Sequence, residues 1–122
     1  MISTLLPADL SAAAFTRELI RTTLTQWGLS SAIDDVELVA SELVANALRH
    51  GAAPVTFTLG ATGDHVVVSV EDADATRLPA PRTAADSDTG GRGMQMIDTI
   101  SRRWGCTTTD SSKTVWAELL IS

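Results

Sequence analysis

Glu42-Leu43-Val44-Ala45-Asn46-Ala47-Leu48-Arg49-His50 sets a carboxylate, an amide and an imidazole four residues apart inside an apolar stretch. On an α-helix, positions i, i+4 and i+8 drift by only ~40° per step, so Glu42, Asn46 and His50 form one ridge. Val36, Val39, Ala40, Leu43 and Ala47 form a second, apolar ridge suited to a core. The pattern predicts a helix gripped on one side and offering polar groups on another. A solvated face is the ordinary reading of Glu and Asn on a helix, and the spacing alone does not exclude it. Two later stretches bear on the choice: Glu71-Asp72-Ala73-Asp74, which ends a valine-rich strand, and Gly90-Gly91-Arg92-Gly93-Met94, which leads into a third helix.

Upstream of the ridge, Pro7 and Asp9 are read as opening a first helix and Gly28 as closing it. Phe15, Leu19, Thr23 and Trp27 recur every four residues along that helix, with Ile20 and Leu24 beside them and Arg17 and Arg21 off the stripe. Ser31 with Asp34 resembles a capping box for the second helix. Gly51 suits a left-handed residue at that helix's end, and Pro54 blocks continuation.

Downstream, Val55, Phe57 and Leu59 alternate with threonines as in a half-buried strand. Gly60 to Asp64 reads as a hairpin connection, and His65 to Val70 as the return strand. Asp72 to Asp88 break all periodicity, and residues 73–90 read as a long polar loop, which in so small a domain is often a functional lid. Trp104 to Thr109 and Thr114 to Ile121 read as two further strands. The order α, α, β, β, loop, α, β, β predicts an α+β two-layer sandwich, a mixed but mainly antiparallel sheet covered on one face by about three helices.

The 122 residues suit one domain spanning residues 1–122. The chain is 44% hydrophobic with a mean hydropathy of +0.14, which indicates a globular chain. No apolar run approaches the ~20 residues of a membrane span. Residues 1–5 lack the basic segment and apolar core of a secretory signal. The single Cys106 cannot form an internal disulfide and reads as a small buried hydrophobe. These features point to the cytoplasm. A net charge of −6 weighs against direct binding of nucleic acid, which needs clustered Lys and Arg. It does not exclude a nucleotide, whose phosphates backbone N–H groups and a metal can hold.

Each of these stretches is a weak signal alone, yet each can carry a definite chemistry. Glycines before a helix allow close approach of backbone N–H groups to a phosphate. The segment fits neither a P-loop nor a dinucleotide fingerprint. A carboxylate just past a strand, such as Asp72, can accept a hydrogen bond from an exocyclic amine like that of adenine. The amide oxygen of Asn46 is a competent Mg²⁺ ligand, and Mg²⁺ characteristically bridges a protein ligand and phosphates. Glu42, one turn away, can take a proton from a hydroxyl that attacks a terminal phosphate.

Taken jointly, Glu42-x-x-x-Asn46-Ala47-x-x-His50-Gly51 resembles the N box of the GHKL, or Bergerat-fold, ATPases. That superfamily includes gyrase, MutL, histidine kinases and the anti-sigma-factor serine kinases. Asp72 falls where its adenine-binding aspartate belongs. Gly91-x-Gly93-Met94 resembles its second glycine box, and Lys113-Thr114-Val115 its last motif. The resemblance covers nearly the whole chain, in order, and is strongest to short anti-sigma kinase-like ATPases of actinobacteria. It implies a Bergerat ATP-binding fold with ATP and Mg²⁺ as cofactors. By position it implies Asn46 as the Mg²⁺ ligand, Glu42 as general base and Asp72 as the adenine reader. Gly91, Arg92, Gly93 and Met94 would lie at the phosphates, and Thr114 would support the base pocket. His50 reads as a helix-end packing residue. The implied activity is phosphorylation of a Ser or Thr on an anti-sigma-antagonist (STAS-type) protein, alternating with sequestration of a sigma factor. The family also suggests a homodimer. One departure is clear: the first glycine box, usually D-x-G-x-G, reads Asp72-Ala73-Asp74-Ala75 here. The alternative it raises is a partner-binding module with weakened or lost ATP use. A sensor histidine kinase domain fits less well, because no helical segment with a phospho-accepting histidine precedes the domain.

Overall fold

The computed structural model describes residues 1–75 and 89–121, with the backbone alone at 89–94. The described elements are β1 (Ile2–Leu6), α1 (Ser11–Gln26), α2 (Ile33–His50), β2 (Val55–Thr62), β3 (His65–Asp72), α3 (Thr89–Ile100), β4 (Arg103–Thr108) and β5 (Lys113–Leu120). The strands form one sheet in the order β1-β2-β3-β5-β4. All four described pairings are antiparallel, so the parallel component expected of a mixed sheet is absent from them.

Alternation decides which face is buried. Val55, Phe57 and Leu59 of β2, Val66, Val68 and Val70 of β3, and Val115, Ala117 and Leu119 of β5 are buried. Their neighbours in sequence are exposed or half-buried. Helix α2 lies on this face against β2, β3 and β5, with α1 against α2 and β1, and α3 against α2 and β4. The helix side supplies Ile20, Leu24, Ile97 and the predicted ridge of Val36, Val39, Ala40, Leu43 and Ala47, all buried. Each large side chain so removed from water contributes about 1.5–3 kcal/mol, which holds α2 to the sheet along its length. Acidic Asp34 and Asp35 open α2 and Arg49 and His50 end it, as the helix dipole favours.

Several local expectations need correction. Strand β1 was not foreseen: its five residues carry a weak alternation, and its order comes from pairing with β2, Leu6 lying opposite Val55. Helix α1 starts at Ser11, and Asp9 holds its entrance by accepting from the Ser11 N–H at 2.8 Å and from the Ser11 hydroxyl. Its buried stripe is Ala12, Thr16, Ile20, Thr23 and Leu24, while Phe15 stays exposed. Thr16 is tolerated inside because its hydroxyl donates to the Ala12 carbonyl at 2.7 Å. No capping box opens α2: a 3-10 turn over Ser30–Ala32 leads directly into Ile33, and the N-cap Ala32 makes no side-chain cap bond. The β2–β3 connection is shorter than expected. Thr62 pairs with His65, which leaves a two-residue turn at Gly63-Asp64. Helix α3 begins at Thr89, so the glycine segment lies within its first turns rather than in a preceding loop. Glycine permits this at about 1 kcal/mol per residue relative to alanine.

Gly28 ends α1 as expected. Its φ of 75° is left-handed. The Leu29 N–H reaches the Leu24 carbonyl at 2.8 Å and the Gly28 N–H the Thr25 carbonyl at 3.1 Å, the two bonds of a Schellman motif. A Cβ at Gly28 would meet nothing within 4 Å. Gly28→Ala should therefore cost only the backbone term, about 1 kcal/mol, as a lowered urea midpoint at unchanged slope.

Candidate functional site

The C-terminal end of α2 and the end of β3 meet. Gly51, which follows α2, was expected to be left-handed, but its φ of −101° and ψ of −164° are extended. Its glycine identity has a different cause. A Cβ there would sit 2.5 Å from Asp72 Cγ and Oδ2 and 2.6 Å from the Ala47 carbonyl. Next to this contact, the Ala73 N–H donates to the Ala52 carbonyl at 2.7 Å. The chain leaving the helix is thus tied to the chain leaving the strand, and Asp72 is pressed against the end of α2. Gly51→Ala forces Asp72 or the helix end to move. A loss of about 1–3 kcal/mol is expected, read by thermal or urea denaturation.

Asp72 is buried, 2% exposed, on the helix-facing side of the sheet. Its Oδ1 accepts the Asp74 N–H at 2.8 Å, a local turn made by the same residues that depart from the glycine box. Its Oδ2 lies 3.5 Å from Lys113 Nζ. Lys113 faces Asp72 directly across the β3–β5 ladder and is itself buried. At 3.5 Å the ammonium acts as a charge partner rather than a tight hydrogen-bond donor. Cys106 lies near this pair on the helix-facing side and packs against the core. Burial pushes its thiol above the usual range, and Asp72 adds to this while Lys113 opposes it. The thiol is therefore a poor nucleophile, as its reading as a small hydrophobe implied.

Glu42 and Asn46 are half-buried on α2, and the Asn46 Oδ1 atom is itself buried. Asn46 precedes Gly51 by five positions, about 7.5 Å along the helix axis. Asn46 and Asp72 are therefore brought to the same end of the two layers. Thr114 is not brought there. It pairs with Glu71 and lies on the sheet face opposite Asp72, where the strand alternation places it. Lys113, quoted in the last motif but given no role from sequence, holds the place beside the carboxylate. Counting back by two from buried Val115 was the signal that could have found it.

Gly91, Arg92, Gly93 and Met94 fall in α3 by backbone, and their side chains lie outside the described residues. Most of the 73–90 loop lies outside them as well. Among the described residues no cluster of three or more His, Cys, Asp and Glu side chains could hold a metal ion. A metal held by one amide oxygen and ligand phosphates needs no such cluster. A shallow hollow lined by Arg17, Asp34, Asp35, Glu37, Leu38 and Ser41 contains none of the candidate residues. No described helix is long and apolar enough to cross a membrane.

The family model described as "Histidine kinase-like ATPase domain" matches residues 6–119. The chain belongs to the histidine kinase-like ATPase domain family. No curated protein matches the sequence. Among solved structures, the RsbU and RsbW domains of Rv1364c from Mycobacterium tuberculosis resemble it with a TM-score of 0.73 and 22% identity. That likeness covers 98% of this chain and 31% of the other. The histidine kinase domain of the blue-light activated histidine kinase from Erythrobacter litoralis EL346 follows, with a TM-score of 0.55 and 16% identity over 91% of this chain and 60% of that one. The Acinetobacter baumannii histidine kinase AdeS has a TM-score of 0.54 and 14% identity, covering 100% of this chain and 68% of that one. This histidine kinase-like ATPase domain therefore spans about a third of the first of these chains. At these identities the likenesses establish the fold: an antiparallel five-stranded sheet covered by three described helices.

The fit of the candidate residues to Mg-ATP is divided. The Asn46 end offers a buried amide oxygen on a helix that also carries a carboxylate one turn earlier. The Asp72 end offers the buried carboxylate, but with Lys113 already paired to it.

Proposed function

We propose that this domain is an ATP-binding regulator of the anti-sigma-factor type. In one state it phosphorylates a Ser or Thr of an anti-sigma-antagonist (STAS-type) protein. In the other it sequesters a sigma factor, as a soluble cytoplasmic protein that pairs with a second copy of itself. The observation that carries this reading is the juxtaposition of the α2 end with the buried Asp72, fixed by the Gly51 contact and the Ala73–Ala52 hydrogen bond. Family membership and the likeness to the RsbU and RsbW domains support it.

In this reading Asn46 holds Mg²⁺ through its amide oxygen, and Asp72 faces the base of the nucleotide. Gly91, Arg92, Gly93 and Met94 attend the phosphates. When bound, the metal supplies charge neutralisation at the phosphates. The Glu42 carboxylate takes the proton of the incoming Ser or Thr hydroxyl. Its half-buried place one turn before Asn46 keeps base and metal ligand on one ridge.

A second reading, a partner-binding module with weakened ATP use, is favoured by the Lys113 contact and by Asp74 at a glycine position of the first glycine box. Calorimetric titration with Mg-ATP separates the two. Submillimolar binding, followed by transfer of labelled γ-phosphate to a STAS-type protein captured from the native cell, is the expected result. No detectable heat at millimolar nucleotide, with the partner still captured, would establish the module instead.

A further inference from the structure

We propose that Lys113 sets base affinity and discrimination in this domain, by holding the base-reading carboxylate in an internal ion pair. The inference rests on the reading of Asp72 as the residue that faces the base. Three contacts converge on that carboxylate. Oδ1 takes the Asp74 N–H at 2.8 Å, and Oδ2 faces the Lys113 ammonium at 3.5 Å. The Gly51 backbone lies so close to Oδ2 that not even a methyl group fits between them. Both charged side chains are at most 6% exposed.

An ionised carboxylate reads an exocyclic amine strongly because its charge is otherwise uncompensated in a dry site. Here the charge is already compensated from within the chain. An incoming amine must share the acceptor with an ammonium or displace it. Displacement leaves Lys113 buried without its counter-ion, which the low-dielectric surroundings penalise. The β3–β5 register holds the Lys113 backbone opposite Asp72, and its side chain is only 6% exposed, so turning away requires a path out of the packed interior. Nor does the neighbouring Thr114 replace it, since its side chain is on the other face of the sheet. The base end of the pocket is therefore held self-satisfied. Binding by the wild-type domain comes from the purine ring and phosphates, with little contribution from the amine.

The test varies the ligand as well as the residue. Wild type, Lys113→Thr and Lys113→Arg are titrated calorimetrically with the magnesium complexes of ATP and of purine riboside triphosphate, which lacks the exocyclic amine. Circular dichroism checks that each variant is folded. The wild type and Lys113→Arg should bind the two nucleotides within about twofold of each other. Lys113→Thr should bind ATP about tenfold more tightly than wild type does and prefer it to the amine-free nucleotide by about tenfold. A wild type that already prefers ATP by about tenfold overturns the proposal, because Asp72 then reads the amine despite Lys113. So does a folded Lys113→Thr that gains neither affinity nor preference. If Lys113→Thr does not fold, the comparison of the two nucleotides on the wild type decides by itself. Absence of binding by wild type and folded Lys113→Thr alike removes the ATP reading, and the role of Lys113 with it. That outcome differs from tight binding that is indifferent to residue 113.

Discussion

Replacing Asp72 with alanine should destabilise the fold by about 3–5 kcal/mol, because the change strands a buried ammonium. Asp72 and Lys113 are both enclosed between the α2 end and the sheet, and their contact neutralises two charges that have lost their water. Removal of one partner leaves the other to face the low-dielectric interior alone. The magnitude is a large part of the 5–15 kcal/mol that holds a domain of this size together. The contrast between single and double variants makes the prediction sharp. Asp72→Leu with Lys113→Met removes both charges and keeps apolar volume, so it should recover most of the loss, as buried pairs exchanged for hydrophobes generally do. Glu71→Ala is the control one residue away. Glu71 is exposed on the other face and, among the described residues, accepts a single 3.3 Å bond, from the Ser112 hydroxyl, so its loss should stay within about 0.5 kcal/mol. Urea denaturation of the four proteins reads all of this. A loss below about 1 kcal/mol for Asp72→Ala means that Lys113 escapes to solvent when unpaired. The pair would then not be the buried element described above.

The α2 face, the core strands β2, β3 and β5 and the Gly28 stop were legible in the sequence because each rests on a local rule. Helical spacing selects Val36, Val39, Ala40, Leu43 and Ala47, and all of them are buried. Alternation selects the valines of β3. What escaped was decided by pairing. The five residues of β1 have no strong pattern and become a strand through the exposed edge of β2. The glycines at 90–93 signal chain freedom, which is compatible with a loop or with the first turns of a helix, and the backbone takes the second. The same limit governs the site. Gly51 looked like a left-handed stop because glycine after a helix usually is one, yet it is required by the approach of Asp72, which lies 21 positions later in the sequence. Thr114 was matched by its residue type. Strand phase sends it to the far face and brings Lys113 to the carboxylate. A motif read as letters carries residue identities, whereas the side of the sheet is set by parity and register.

With Glu42 as the general base of the proposed kinase, changing it to glutamine should lower phosphoryl transfer by about 10²–10⁴-fold while leaving nucleotide affinity nearly unchanged. A general base acts only as the proton leaves the attacking hydroxyl, so its removal falls on kcat and not on ground-state binding. The fold gives little reason for a structural loss. Glu42 is half-buried on the polar ridge, while the apolar ridge of α2 carries the packing. Glu37 on the same helix supplies the comparison. Its carboxylate takes two bonds from Arg21 of α1, at 2.9 and 3.1 Å, and Arg21 is largely exposed. Glu37→Gln should therefore cost no more than about 1 kcal/mol of stability and leave transfer untouched. Asn46→Ala completes the set: under the proposed role of Asn46 as the Mg²⁺ ligand, its loss should weaken binding of Mg-ATP itself. The three variants thus separate along three readouts: rate for Glu42, stability for Glu37 and metal-dependent affinity for Asn46. Full transfer by Glu42→Gln removes the carboxylate from the mechanism and leaves the ridge as a solvated face. A loss of affinity equal to the loss of rate would instead make Glu42 part of the nucleotide's binding surface.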